Sequence, residues 1–215
     1  GEISLNGTAE TWVTPDQTGI DIRLQELHPD LSSAISALNK QVARLQDELA
    51  KAGIDKSSIK TSVLNTSKQR EYDGNKKKYI DKGYLAQQQL QVEFLASSRK
   101  LESVLNRFNR IDFDFNFSVY FKLSDALRQN INDQLLVDAV KNAKHRAKIA
   151  TEAMGVKLGA IKKLIVDKDI NPQVSNYGYM KSAALNDAES NYVPPVEAKE
   201  QSLSHRVQVI FFLEQ

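Results

Sequence analysis

The sequence predicts an α+β fold with mainly antiparallel strands and helices packed on one side. Three observations lead there. Residues 20–25 and 113–121 alternate apolar and polar side chains with the period of a half-buried strand. Residues 31–49 place Leu31, Ile35, Leu38, Val42, Leu45 and Leu49 at spacings of four and three, the pattern of an amphipathic helix. Residues 136–154 carry Leu136, Ala139, Ala143, Ala147, Ala150 and Met154 along one helical face, most of it alanine. Such a stripe adds little apolar area. It lets a helix axis approach a sheet more closely than leucine would, at high helix propensity.

Taken in order, Ile3, Leu5 and Gly7 open a first strand. After Pro15 and Asp16, Ile20, Ile22 and Leu24 alternate with Asp21, Arg23 and Gln25, so the two strands read as a hairpin with one wet face. Asp30 stands at the N-cap position of the amphipathic helix and Gly53 closes it. Ile59 to Leu64 begins a strand, and the Lys- and Arg-rich segment Lys68 to Lys82 reads as a solvated hairpin loop. Gly83 opens the next strand, with Tyr84, Ala86, Gln88, Leu90, Val92 and Phe94 on one side. Ser97 or Ser98 caps a short helix that turns Leu101, Val104, Leu105 and Phe108 inward. Phe113, Phe115, Phe117, Val119 and Phe121 then share one strand face, whose exposure would forfeit roughly 1.5–3 kcal/mol per phenylalanine. The alanine-faced helix follows a turn at Ser124 and Asp125 and is the nearest cover. Gly155 suits its left-handed C-terminus and Gly159 starts the exit. Ala160 to Val166 and Val207 to Leu213 supply the last two strands.

The predicted order is ββαββαβαββ, in a single domain over residues 1–215 with an irregular insert at about 171–200. That insert holds Asn171, Pro172, Gly178, Pro194 and Pro195, and long inserts of this kind are usually functional or disordered. Tyr177, Tyr179, Met180 and Tyr192 are more than a linker needs and mark a candidate contact arm.

Composition restricts the function classes. A net charge of +2 supplies no strong field for nucleic acid or an anionic membrane. The absence of cysteine excludes disulfides, thiolate metal sites and cysteine nucleophiles. No apolar run approaches the roughly 18–20 residues of a membrane span. The chain enters a strand directly at Gly1, Glu2 and Ile3, as expected of a mature or trimmed chain whose targeting segment has been removed.

Catalytic motifs are sparse. His28, His145 and His205 are far apart in sequence and each reads as a surface or edge residue. There is no Gly-x-Ser-x-Gly elbow or phosphate-binding glycine loop, and Gly155 and Gly159 fall at a helix C-terminus, where anions are disfavoured. Asp112 and Asp114 could pair as acid and base or hold a hard metal, although a solvated strand face explains them more simply. Asn6, Asn65 and Asn116 match the glycosylation sequon, a three-residue pattern with little information. Lys76, Lys77 and Lys78, with Tyr72 and Tyr79, form a candidate basic loop of the kind that grips phosphates and stacks bases. The near-neutral total charge argues against a nucleic-acid partner.

Several stretches, in order, resemble the SIMPL domain family. They are ISLNGTAETWVTPDQTGIDIRL at the start, AGIDKSSIKTSVLN after the first helix, GYLAQQQLQVEF, and FKLSDALRQNINDQLLVDAVKNAKHRAKIATEAMGVKLGAIKKL around the alanine-spaced helix. One departure is Lys199, near a position where family members often carry a glycine before the last strand. The resemblance implies a bacterial periplasmic or secreted protein capable of self-assembly, and it supplies no catalytic residues. No cofactor is expected. The leading expectation is a non-enzymatic envelope protein that works through homo-oligomer or protein contacts, with a role in envelope or oxidative stress tolerance. One alternative is a small-ligand binder or weak hydrolase with a pocket between sheet and long helix, lined by Tyr84, Gln88 and Asp114. Another is an intracellular signalling adaptor, as animal members of the family suggest.

Overall fold

The computed structural model describes residues 1–166 and 198–214. Its elements are β1 (Glu2–Val13), β2 (Gln17–His28), α1 (Leu31–Lys51), β3 (Ile59–Thr61), β4 (Asn65–Asp73), β5 (Lys78–Leu95), α2 (Ser98–Phe108), β6 (Asn116–Lys122), α3 (Asp125–Met154), β7 (Lys157–Val166) and β8 (Gln201–Glu214). The fold is α+β with antiparallel sheets, as the sequence predicts. The chain divides into two compact units, one built from its two ends and one from residues 17–122. The contact-arm residues Tyr177, Tyr179, Met180 and Tyr192 lie outside the described residues.

The first unit holds a three-stranded sheet in the order β1-β8-β7, with α3 packed on β1 and β8. Ser124 caps α3 by accepting the Leu127 N–H at 3.2 Å, and Gly155 ends it in the left-handed conformation at φ 69°. The buried ridge is Leu135, Ala139, Ala143, Ala147 and Thr151, all at a spacing of four. The stripe expected from sequence drifts off this ridge at both ends, with Leu136 half-buried and Met154 exposed. A constant spacing of four traces one inclined row on the helix surface, the row that packs along a twisted sheet. Val207, Val209 and Phe211 of β8 meet the three alanines, flanked by Ile3, Leu5 and Ala9 of β1. The approach is close enough that a β-carbon at Gly7 of β1 would fall on the Ala139 carbonyl oxygen.

The second unit holds a five-stranded sheet in which β3-β5-β2-β6 are successive neighbours and β4 also pairs with β5. α1, capped by Asp30, covers β2 and β5. The registers bring Gln17, the first residue of β2, opposite Lys122, the last residue of β6. Phe108 of α2 meets Phe115 and Phe117 edge-on, with ring centroids 5.2 and 5.0 Å apart. The phenylalanine-lined strand is therefore covered by α2. α3, its nearest helix in sequence, serves the other sheet.

Three other expectations are corrected. β1 and β2 do not form a hairpin, because β1 pairs with β8 and β2 with β5 and β6. The link between them is tied down elsewhere: the Asp16 carboxylate accepts the Ser124 N–H and hydroxyl, each at 2.6 Å. Three strands, and not two, separate α1 from α2, since β3 stops at Thr61 and β4 starts at Asn65 along the same edge of β5. The segment 68–82 is mostly paired strand, and its loop shrinks to residues 74–77.

Candidate functional site

The two edges of the β1-β8-β7 sheet differ. On β1, the backbone groups that face away from β8 are partly taken up by α3: Thr8 N–H donates to Asn142 Oδ1 at 3.2 Å, and Arg146 Nη1 donates to the Asn6 carbonyl at 2.6 Å. Gly7, between them, permits the contact. On β7, the ten residues from Lys157 to Val166 pair on one side only among the described residues. Ile161, Leu164, Ile165 and Val166, with Phe212 of the adjoining β8, are each 38–51% exposed. An open backbone edge beside exposed apolar side chains is the geometry of strand addition. The capture of β1 by α3 singles out β7.

The second feature is the ribbon formed by β4 and β5. Beyond His28, where β2 ends, β5 pairs only with β4 among the described residues. Gly83 makes this extension feasible: its φ is 106°, and a β-carbon there would strike the His28 carbonyl. Along the ribbon, Asp81 accepts Lys68 at 2.7 Å and Arg70 at 3.0 Å, and Glu71 meets Lys82 at 2.5 Å. The Lys68 hydrogen bond holds Asp81 below the usual carboxylate range, the Lys82 bond does the same for Glu71, and Glu71 in turn raises Lys82. Tyr72 and Tyr79 face each other edge-on at 5.3 Å. At the turn, Asp73 Oδ1 accepts the N–H groups of Asn75 and Lys76, and Lys77 adopts a left-handed φ of 47°. Lys76, Lys77 and Lys78 thus sit together at the ribbon's end. Only Lys76 has a carboxylate partner among the described residues, Asp73 at 3.8 Å.

The outward face of the five-stranded sheet carries a polar cluster that sequence reasoning passed over as a wet strand face. Cross-strand register places Glu93 and Tyr120 on either side of Gly19. Glu93 meets Lys122 at 2.5 Å and Lys60 at 3.4 Å, and the Lys122 hydrogen bond keeps its carboxyl below the usual range. Tyr120 accepts Gln91 Nε2 at 2.6 Å, and burial pushes its hydroxyl up. Burial also raises Asp21, against the lowering effect of a Gln89 hydrogen bond. The signal in sequence was the glycine facing an aromatic across strands, which is visible only once the pairing is known.

Other candidates do not converge. Asp112 and Asp114 are exposed, and no group of three or more metal-ligating side chains exists among the described residues. Tyr84 lies with Lys68 over its ring, Gln88 donates to the Ser62 carbonyl at 2.9 Å, and both belong to a different unit from α3. A shallow groove along α1 has Lys40 as its single titratable group among Ser32, Ile35, Ser36, Asn39 and Ala43. His28 and His145 are at least partly exposed. His205, expected at a surface or edge, is instead buried on the inward side of β8, opposite Ala9, with neither ring nitrogen hydrogen-bonded among the described residues. Strand alternation puts it in line with Leu203 and Val207, which is why it points inward.

Residues 3–211 match SIMPL, described as a protein of unknown function (DUF541). The chain belongs to the SIMPL family. A SIMPL chain of this kind is also 27% identical over 214 residues to the uncharacterized protein YggE of Edwardsiella ictaluri (strain 93-146), covering 98% of this chain and 86% of that protein. A hydrolase from Listeria innocua is similar at 14% identity over 94% of this chain and 91% of its own, with a TM-score of 0.18, an overlap too loose to carry an activity across.

Proposed function

We propose that this SIMPL protein is a non-enzymatic, exported component of the bacterial cell envelope that acts by assembling with further copies of itself or with envelope proteins, in support of stress tolerance. The observation that carries the reading is the apolar β7 edge, open among the described residues, in the same sheet as a β1 edge partly closed by α3. Export follows from the family resemblance. The absence of cysteine from the sequence and of a metal-ligand cluster among the described residues fits a role in contact better than one in chemistry.

Light scattering on the size-fractionated chain tests it. The wild type is expected to exceed the monomer mass in a concentration-dependent way, and Leu164→Lys with Ile165→Lys, which places charge on the β7 edge, is expected to return it to monomer with its circular dichroism unchanged. A wild type that stays monomeric at high concentration, and recovers no envelope protein from extracts, refutes the proposal.

A further inference from the structure

The β4–β5 ribbon is not absorbed by assembly at β7, and its charges are unevenly spread. Along the stem each carboxylate is paired: Asp81 with Lys68 and Arg70, Glu71 with Lys82. At the end, Lys77 and Lys78 have no carboxylate partner among the described residues, and Lys76 has only the long contact to Asp73. The stem's three cations and two carboxylates leave it near neutral, and the larger surplus, three lysines against Asp73, is at the tip. Behind it, in the pair next to Asp73 and Lys78, stand Tyr72 and Tyr79, 55% and 70% exposed. Lys77 occupies a left-handed backbone position that Gly or Asn would hold more cheaply, so a cation sits there against the local preference.

The geometry points to the end of this ribbon as a docking point for an anionic lipid bilayer surface. A convex tip without a cleft cannot enclose a small ligand, whereas a plane of anionic headgroups meets all three lysines at once. The tyrosine pair, one residue pair behind, falls at the depth where amphipathic rings favour the headgroup layer. A two-stranded ribbon also has the width for a nucleic-acid major groove. Lying lengthwise in a groove, however, this one would press Glu71, Asp73 and Asp81 against the phosphates. End-on contact avoids them. The loop residues Gly74, Asn75, Lys76 and Lys77 are not apolar, so the contact is with headgroups and stops short of the acyl chains.

Co-sedimentation of the full chain with vesicles tests the assignment, and it is independent of assembly because each copy carries its own tip. Vesicles of phosphatidylcholine with phosphatidylglycerol should bind the chain at low salt, and pure phosphatidylcholine should not. Each neutralised lysine should weaken binding about fivefold, and Lys76→Gln, Lys77→Asn and Lys78→Gln together about a hundredfold. The triple arginine variant should retain binding, as should Lys141→Gln with Lys144→Gln on α3. Folding of each variant is checked by circular dichroism. Equal binding by the neutralised triple variant, no binding to anionic vesicles, or equal binding to neutral ones overturns the proposal. So does tighter binding to duplex DNA that the triple variant loses, in favour of a nucleic-acid partner.

Discussion

Replacing Gly7 by alanine adds one methyl group and should cost several kcal/mol. Gly7 is not among the residues with positive φ, so alanine can adopt its backbone without strain. In the absence of a steric problem, the change would stabilise by about 0.4–1 kcal/mol through the unfolded chain. The new carbon, though, would overlap the Ala139 carbonyl oxygen and lie 2.7 Å from the Ala143 nitrogen, both helix backbone atoms that cannot swing aside. Restoring an ordinary carbon–oxygen separation of about 3.3 Å requires α3 to retreat by roughly 1 Å or more. The Thr8–Asn142 bond, already 3.2 Å, then exceeds hydrogen-bonding range, and the Arg146–Asn6 bond is stretched. Overpacking at about 1–3 kcal/mol, with about 1 kcal/mol for the neutral bond and about 1.5–3 kcal/mol for the charged one, outweighs the entropic gain. The net expectation is a loss of about 3–5 kcal/mol, measured by urea denaturation, with faster hydrogen exchange in α3 and β1. A variant as stable as the wild type, or more so, would refute the close-packing account.

Other expectations are smaller. Ser124→Ala removes the cap of α3 and the hydroxyl bond to Asp16 while leaving the backbone N–H bond in place, and should cost about 1–3 kcal/mol near neutral pH. Burial raises Asp16, but the Ser124 bonds outweigh it and leave the carboxyl below its ordinary 3.8, so this stability is present above 3.8 and fades as pH falls through the lower folded value. The gap between variant and wild type should therefore narrow in acid denaturation curves to the share of the lost cap, and a constant gap would contradict the assignment. His205→Leu removes two buried ring nitrogens without partners among the described residues, so thermal unfolding should show unchanged or raised stability, and a loss above about 2 kcal/mol would mean that the ring makes bonds the fold depends on. Lys77→Gly should stabilise the ribbon by up to about 1 kcal/mol while weakening its binding to anionic vesicles, a divergence that separates backbone strain from recognition.

Local features of the sequence were readable because short-range chemistry decides them. Asp30 and Ser97 cap their helices, Gly155 ends α3, and Ala139, Ala143 and Ala147 face inward, each fixed by its own few neighbours. Which strand meets which is a different kind of fact. β1 and β2 look like a hairpin because only three residues separate them, yet Asp16 binds Ser124, 108 residues away, and the strands go to separate sheets. The same limit misassigned the cover of Phe115 and Phe117, which the long helix directly after the strand was expected to supply and α2 supplies instead. The β7 edge was not legible, because it depends on β8 pairing with both β1 and β7. Lys76 to Lys78 were found by composition, while their isolation from the paired charges of the stem required the hairpin register.

The pairing of Gln17 with Lys122 bears on the order in which the protein forms. Among the described residues, the unit of residues 17–122 is continuous in the chain, whereas the other joins Glu2 to Phe212 across nearly the whole sequence. Closing a loop of that length directly costs roughly 5 kcal/mol of chain entropy. Once that stretch has folded, its first and last strands lie side by side, which brings Asp16, next to Gln17, within reach of Ser124. The inner unit acts as a clasp that shortens the search of the outer one. Only β7 and β8 then remain to be recruited, as the last part of the chain arrives.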